Sequence, residues 1–325
     1  MTDYAMVTPQ PGGPENFERR DITVGDPGPG QIRLRQTAVG LNFIDIYHRS
    51  GAYPWPVERD LVIGSEGAGV VDAVGAGVSD LRPGDRVAYT IPMGAYASAR
   101  LLPADRVVPI PDGISDEVAA TLMLKGLTAH YLIHDSFAAQ PGQTVLVQAA
   151  AGGVGLLLGQ WLKARGVTAI GTAGGAEKCE LASQHGYAHV IDYNVEDFPA
   201  RVAEITAGAG VAGVYDGVGT AVWRGCMQAL AMRGTYVCFG QASGPITDFA
   251  FSDLAPKSAK ATRPTLFHFI AEASELRRRA AEMFAAVSAG DLLSEPRQRV
   301  PLANVAEAHR MLADRQTRGA TVLTV

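Results

Sequence analysis

The stretch from Thr144 to Gly155, TVLVQAAAGGVG, pairs residue types and spacing that could hold a phosphate. A short apolar strand runs into a glycine-rich turn, and an apolar helix (Leu156, Leu157, Leu158, Trp161, Leu162) follows at once. The spacing is G-x-G-x-x-G with Ala150 in the first glycine position and Gly152 and Gly155 in the other two. Such a turn lets backbone N–H groups approach a pyrophosphate at a helix N-terminus, where the helix dipole favours negative charge. An ordinary strand-to-helix turn is the bland alternative, and the flanking strand and helix favour a dinucleotide site.

The next strand says which dinucleotide. An NAD site places an acid about twenty residues on, to accept hydrogen bonds from the ribose hydroxyls. Here Val167 to Thr172 is followed by Ala173, Gly174 and Gly175, without a carboxylate at the strand end. Lys178 follows within a turn of helix and is placed to meet a 2′-phosphate, while Glu177 reads as solvent-facing. Tyr193, ending the third strand, could pack or hydrogen-bond at the same pocket. The expected cofactor is NADPH.

These residues need a frame to position them. Residues 1–125 are punctuated by Pro and Gly and read mainly as strands, with one short helix from Asn42 to Gly51 and another from Asp116 to Leu124 capped by Ser115. From Gly126, helices and strands alternate: helix 127–138, strand 144–149, helix 153–165, strand 167–172, helix 176–185, strand 189–192, helix 196–207, strand 212–216, helix 220–230 and strand 234–240. That alternation means a doubly wound parallel sheet covered on both faces. Helices near 273–289 and 304–314 follow, then an apolar strand, Ala320 to Val325, without a helical partner and able to return to the first domain. The expected division is 1–125, 126–262 and 263–325, the last returning to the first.

The chain has 325 residues, 47% of them hydrophobic, enough for two sizeable cores. A net charge of −5 without a basic run argues against nucleic acid. Nothing approaches eighteen consecutive apolar residues and no leader pattern opens the chain, so a cytoplasmic protein free of membrane is expected. Cys179, Cys226 and Cys238 lack C-x-x-C spacing and read as reduced thiols. The i, i+4 pairs His130/His134 and His185/His189 read as surface or core histidines rather than ligands.

In this order the pieces resemble the medium-chain dehydrogenase/reductase superfamily, and within it the zinc-independent, zeta-crystallin-like quinone oxidoreductases. The likeness covers essentially the whole chain. It rests on GLNFIDIY at 40–47, RSGAY at 49–53, GSEGAG at 64–69, PGDRV at 83–87, LKGLT at 124–128, AAAGGVG at 149–155, YDGVG at 215–219 and TRP at 262–264. It implies a GroES-like β domain made from both chain ends and a Rossmann domain between them. Where zinc alcohol dehydrogenases carry a ligand cysteine and histidine, this chain has Asn42 or a neighbour, and Ser65. No cysteine precedes Cys179, so the four-cysteine lobe is missing too, and no zinc is expected.

Without a metal the site must work by positioning an acceptor against the nicotinamide ring, which suits hydride or stepwise electron transfer to a quinone. The resemblance makes Asn42, Tyr47 and Tyr53 the candidate hydrogen-bond donors, with Asp45 orienting them and Arg263 offsetting oxyanion charge. Packing is the rival role for each tyrosine, and helix capping for Asn42 and Asp45. The resemblance also implies Thr128 at the nicotinamide half, Gly152, Gly153 and Val154 at the pyrophosphate, and Val218, Phe239 and Gly240 along the crevice. Arg315 matches an arginine near the cofactor, against the plainer role of a helix-end charge. The leading reading is an NADPH:quinone reductase; the alternatives are a 2-alkenal, enone or enoyl reductase and a non-catalytic NADPH-binding protein. A homodimer is expected, with the apolar run Pro245 to Phe251 as the covered edge.

Overall fold

Gln31–Gly40 alternates buried and exposed side chains along most of its length, as a strand with one face on a core does. It is the hub of a seven-stranded sheet. On one side it pairs antiparallel with Glu66–Val74, which leads on to Arg86–Thr90 and Val107–Pro109. On the other its first half pairs with Ala99–Pro103 and its last residues with the C-terminal strand Thr321–Thr324, Val322 lying opposite Gly40. Gln298–Pro301 runs parallel to that last strand. Ile32, Leu34, Val39, Ile63, Val87, Leu102 and Leu323 form one core beneath this sheet.

The computed structural model describes residues 2–325. They divide into one unit of residues 2–127, 269–288 and 294–325 and a second of 128–268 and 289–293. The second unit carries a six-stranded, all-parallel sheet. Its spatial order is His189–Asp192, Thr168–Ala173, Thr144–Val147, Val211–Asp216, Leu230–Cys238, Lys260–Thr262. In chain order that is 3-2-1-4-5-6, the doubly wound arrangement whose switch point lies between the first and fourth strands. Leu146, Ile170, Ile191, Val214, Trp223 and Tyr236 fill its core.

Three local expectations are corrected. Asp116–Tyr131 is one helix rather than two meeting at Gly126. Gly126 is there for close packing: a Cβ would run into the Met283 sulfur. The sixth strand, Lys260–Thr262, escaped notice because all three residues are exposed and carry no apolar pattern. Pro245 to Ala250 is irregular chain and Phe251 opens the 3-10 helix Phe251–Lys257, so the run is no strand-like edge. Ile246 and Phe249 pack back on their own core, Phe249 edge-on to Trp223 at 5.7 Å.

Candidate active site

The cofactor side is built from main chain. Strand Thr144–Val147 ends at Gln148, whose N–H donates to the Tyr215 carbonyl of the neighbouring strand. Ala149 then takes a left-handed φ of 55°, and Gly152 caps the helix Gly153–Ala164. At Gly155 any Cβ would run into the carbonyls of Ala149 and Ala150, so only glycine lets turn and helix meet so closely. The first N–H groups of a helix lack partners within it, and here Gly153 and Val154 supply them, beside the switch point.

Across the switch point, Asp216 is fully buried. Its carboxylate accepts the N–H groups of Val218 (2.6 Å) and Gly219 and the Tyr236 hydroxyl (2.5 Å), which ties down the loop bearing Val218. Burial pushes its carboxyl above the usual range against those donors. Phe239 lies under Gly217, where a Cβ would come within 3.0 Å of its ring, and a Cβ on Gly240 would lie 2.6 Å from the Gly217 carbonyl. Thr128 is buried on the long helix.

At the end of Thr168–Ala173, Thr172 turns its hydroxyl to Gln148 at 2.6 Å. Gly175 (φ 86°) leads into the helix Ala176–Ser183, with Lys178 in its first turn and Glu177 exposed. The Tyr193 hydroxyl lies over Gly174, 2.6 Å from where a Cβ would be. Asp192, at the neighbouring strand end, accepts the N–H groups of Gly175 and Asn194, each at 3.0 Å. Its charge is thereby turned onto the loop. Lys178 thus lies at the start of the helix after the second parallel strand and Tyr193 directly follows the third, at neighbouring strand ends. Arg263 belongs to this unit, its guanidinium on the Cys238 carbonyl at 3.1 Å.

The other unit holds a cluster of side chains. Asn42, extended at φ −140° and ψ 156°, caps Phe43–Ser50, and Gly51 closes that helix at φ 79°. The Asn42 N–H donates to Asp45 Oδ2 at 2.9 Å, so both residues do cap. They also do more. Asp45 is fully buried and accepts the Ser65 hydroxyl on Oδ1 (2.8 Å) and the Tyr96 hydroxyl on Oδ2 (2.9 Å). Burial pushes its carboxyl up to about 7 despite those hydrogen bonds and the Lys125 charge. Asn42 Nδ2 donates to Glu66 Oε1 at 2.9 Å, which points its amide oxygen away from that carboxylate. Glu66 also takes Lys125 Nζ and the Leu124 N–H, each at 2.6 Å.

Tyr47 and Tyr53 meet on another face of the helix, ring centroids 5.2 Å apart, with His48 edge-on to Tyr53 at 5.5 Å. Both tyrosines are half-buried. Two residues along a helix face nearly opposite ways, and the partners of Asp45 are Asn42, Ser65 and Tyr96 rather than either tyrosine. Arg315 belongs to the same unit, at φ 57° just beyond the helix Val305–Ala313. Ser65, Glu66 and Lys125 stood in motifs already noted, whereas Tyr96 and His309 carried no signal, because they reach the cluster only through the fold.

The donor set does not fit zinc. Asn42 and Ser65 stand where ligands would be needed, and Glu66, the carboxylate beside them, is committed to an ammonium. Among the described residues no three His, Cys, Asp or Glu side chains converge as a metal site, the histidine pairs included.

Residues 28–112 match the alcohol dehydrogenase GroES-like domain family, and residues 153–284 the zinc-binding dehydrogenase family. A quinone oxidoreductase of Pseudomonas aeruginosa is 47% identical over 96% of both chains. A 2-haloacrylate reductase of Burkholderia sp is 43% identical over 98% of both. The structure of Escherichia coli quinone oxidoreductase complexed with NADPH superposes with a TM-score of 0.96 at 39% identity, over 99% of this chain and all of that one.

Proposed function

The chain belongs to the zinc-independent, zeta-crystallin-like quinone oxidoreductases of the medium-chain dehydrogenase/reductase superfamily, and on that premise we propose that it reduces quinones with NADPH. The observation that carries the reading is the glycine turn capping a helix at the switch point, with Lys178 and Tyr193 at a strand end free of an available acid. Bound there, NADPH supplies the hydride. The N-terminus of Gly153–Ala164 would hold the pyrophosphate, and Lys178 would meet the 2′-phosphate as a point charge. Thr128, Val218, Phe239 and Gly240, all of this unit, would line the nicotinamide end, and Arg263 would offset oxyanion charge.

Asn42, Tyr47 and Tyr53 orient the acceptor, and water supplies the one proton that, with the hydride, completes the hydroquinone. A second reading, reduction of an activated double bond, is favoured by the 43% identity to a 2-haloacrylate reductase. Tyr47 would then protonate the product. The test is a panel of quinones, 2-alkenals and 2-haloacrylates with NADPH, on the wild type and Tyr47→Phe. Quinones should turn over fastest, and Tyr47→Phe should keep kcat within roughly tenfold. A loss of about a hundredfold or more would mark Tyr47 as a general acid and favour the second reading. Silence across the panel would favour a non-catalytic NADPH-binding protein.

We also propose a homodimer. With Ile246 and Phe249 folded back, Lys260–Thr262 is an open edge of the sheet, exposed along its length, and Phe251 earlier in the chain is 89% exposed. Light scattering should give twice the chain mass of 34.2 kDa; a monomer at micromolar concentration would refute the pairing.

A further inference from the structure

Behind the acceptor residues a run of buried side chains leads away from Asp45, and chemistry alone orders its protons. Arg49, one helical turn beyond Asp45, donates through Nε to the Gly12 carbonyl at 3.1 Å. Its Nη1 lies 3.2 Å from His309 Nδ1. A guanidinium has only donors, so Nδ1 accepts and the ring proton sits on Nε2. Nε2 is 3.0 Å from the Tyr96 hydroxyl, which accepts that proton and passes its own to Asp45 Oδ2. The direction is therefore single: Arg49 to His309 to Tyr96 to Asp45. Burial, then the Arg49 charge, lowers His309 to about 3, and burial raises the Tyr96 phenol well above its usual range. Both middle links stay neutral. At Gly64, with φ 95°, any side chain would run into the Tyr96 ring, and Phe17 stands edge-on to His309 at 4.9 Å. The chain ends on a group that cannot accept a proton, so it holds a proton order rather than conducting protons.

The Oδ1 side of Asp45 is built differently. Ser65 Oγ lies 2.8 Å from Oδ1 and 3.1 Å from the Pro92 carbonyl. With Asp45 ionised, the hydroxyl donates to Oδ1. With Asp45 protonated, Oδ1–H donates to Oγ and the hydroxyl turns its proton to Pro92. Oδ2 has no such option. A proton there, pointed at Tyr96, would force the phenol to donate to Nε2 and drive the ring proton onto Nδ1, against Arg49.

We propose that Arg49, His309 and Tyr96 are positioning residues that hold Asp45 as acceptor of the Asn42 N–H, with Ser65 as the pivot through which Asp45 gains and loses its proton. The charged and titratable groups around it are Arg49 on its own helix, Glu66 on the adjoining strand, Lys125, Tyr96 and His309. Asn42 is an acceptor-site residue, so the kinetic consequence rests on the quinone-reductase reading. The state of the carboxyl itself does not.

The test is carbon NMR of the Asp45 carboxyl in the intact protein across pH, alongside the pH profile of kcat with a quinone. Tyr96→Phe removes one donor from the ionised form and should raise the midpoint by about one to two pH units. Protonation at Oδ1 weakens the hydrogen bond that Oδ2 accepts from the Asn42 N–H, so the acid limb of kcat should move up with it. His309→Phe should raise the midpoint by less. His309→Gln, whose amide can accept from Arg49 and donate to Tyr96, should return it towards the wild type and keeps the test available if Tyr96→Phe does not fold. An unmoved midpoint in folded Tyr96→Phe, or equal midpoints in His309→Phe and His309→Gln, would overturn the chain. A moved midpoint with an unmoved kcat profile would overturn its positioning role. Moved midpoints in an enzyme inert to quinones at every pH would support the chain and sink the quinone reading alone.

Discussion

In the nucleotide-binding unit the site is made of main chain, at Ala149 with its left-handed φ, at the cap Gly152, and at Gly155, Gly217 and Gly240, where an added Cβ would press on neighbouring backbone or a ring. In the GroES-like unit it is made of side chains, Asn42, Asp45, Ser65, Glu66, Tyr96, Lys125 and His309, closed off from water around two carboxylates. The difference follows from what each must hold. A phosphate chain is gripped by N–H groups at close approach, which one turn can offer. An acceptor oxygen needs chosen donors whose directions are fixed, and fixing a buried donor takes partners from wherever the fold brings them. One site is therefore local in sequence and the other is not.

Two lysines sharpen that contrast. Lys125 is 8% exposed and pairs with a fully buried Glu66, whereas Lys178 is half-buried on a helix edge. Lys125→Met should destabilise the fold by about 3–5 kcal/mol, because it leaves a buried carboxylate without its cation. Adding Glu66→Gln should restore much of that loss. Lys178→Ala should leave stability within about 0.5 kcal/mol but weaken NADPH binding by about 1–3 kcal/mol, with little effect on NADH. Urea unfolding and cofactor titration of the two variants check this. Equal losses of NADPH and NADH in Lys178→Ala would mean that it does not read the 2′-phosphate. An unperturbed midpoint in Lys125→Met would mean that the GroES-like cluster is not held by its ion pair.

The same contrast explains what was legible in the sequence. The parallel sheet, its helices and the glycine turn were readable because strand, turn and helix follow one another within a dozen residues. The placement of Lys178 after the second strand and Tyr193 after the third was readable because strand ends in such a sheet fall at known places. The helix at Asn42 was readable from its caps. What those caps serve was not. Tyr96 lies 51 residues from Asp45, and His309 is 213 residues from Tyr96. A lone tyrosine and a lone histidine carry no periodicity that marks a partner. The sixth strand was missed for a related reason, since its three exposed residues gain their conformation from the fifth strand rather than from any pattern of their own.

The smallest expected effect separates the two ends of the buried chain. Asp45, pushed up to about 7 by burial, keeps in the native state a proton that the unfolded chain releases near pH 4. The native state thus binds more protons between about pH 4 and 7, and this residue makes stability fall as pH rises through that window. His309, lowered to about 3, does the reverse, because the unfolded imidazole takes a proton below about 6.5 that the native one refuses. It makes stability rise with pH between about 3 and 6.5. From about pH 4 to 6.5 the two slopes oppose, each at most about 1.4 kcal/mol per pH unit. Against the wild type, Asp45→Asn should therefore gain stability with rising pH, and His309→Gln should lose it. Urea midpoints for the three proteins at half-unit steps from pH 4 to 7 measure the divergence. Three parallel curves would mean that neither group changes protonation between the folded and unfolded chain as its burial demands, and the contrast between a site of buried ionisable side chains and one built mainly of main chain would lose its energetic basis.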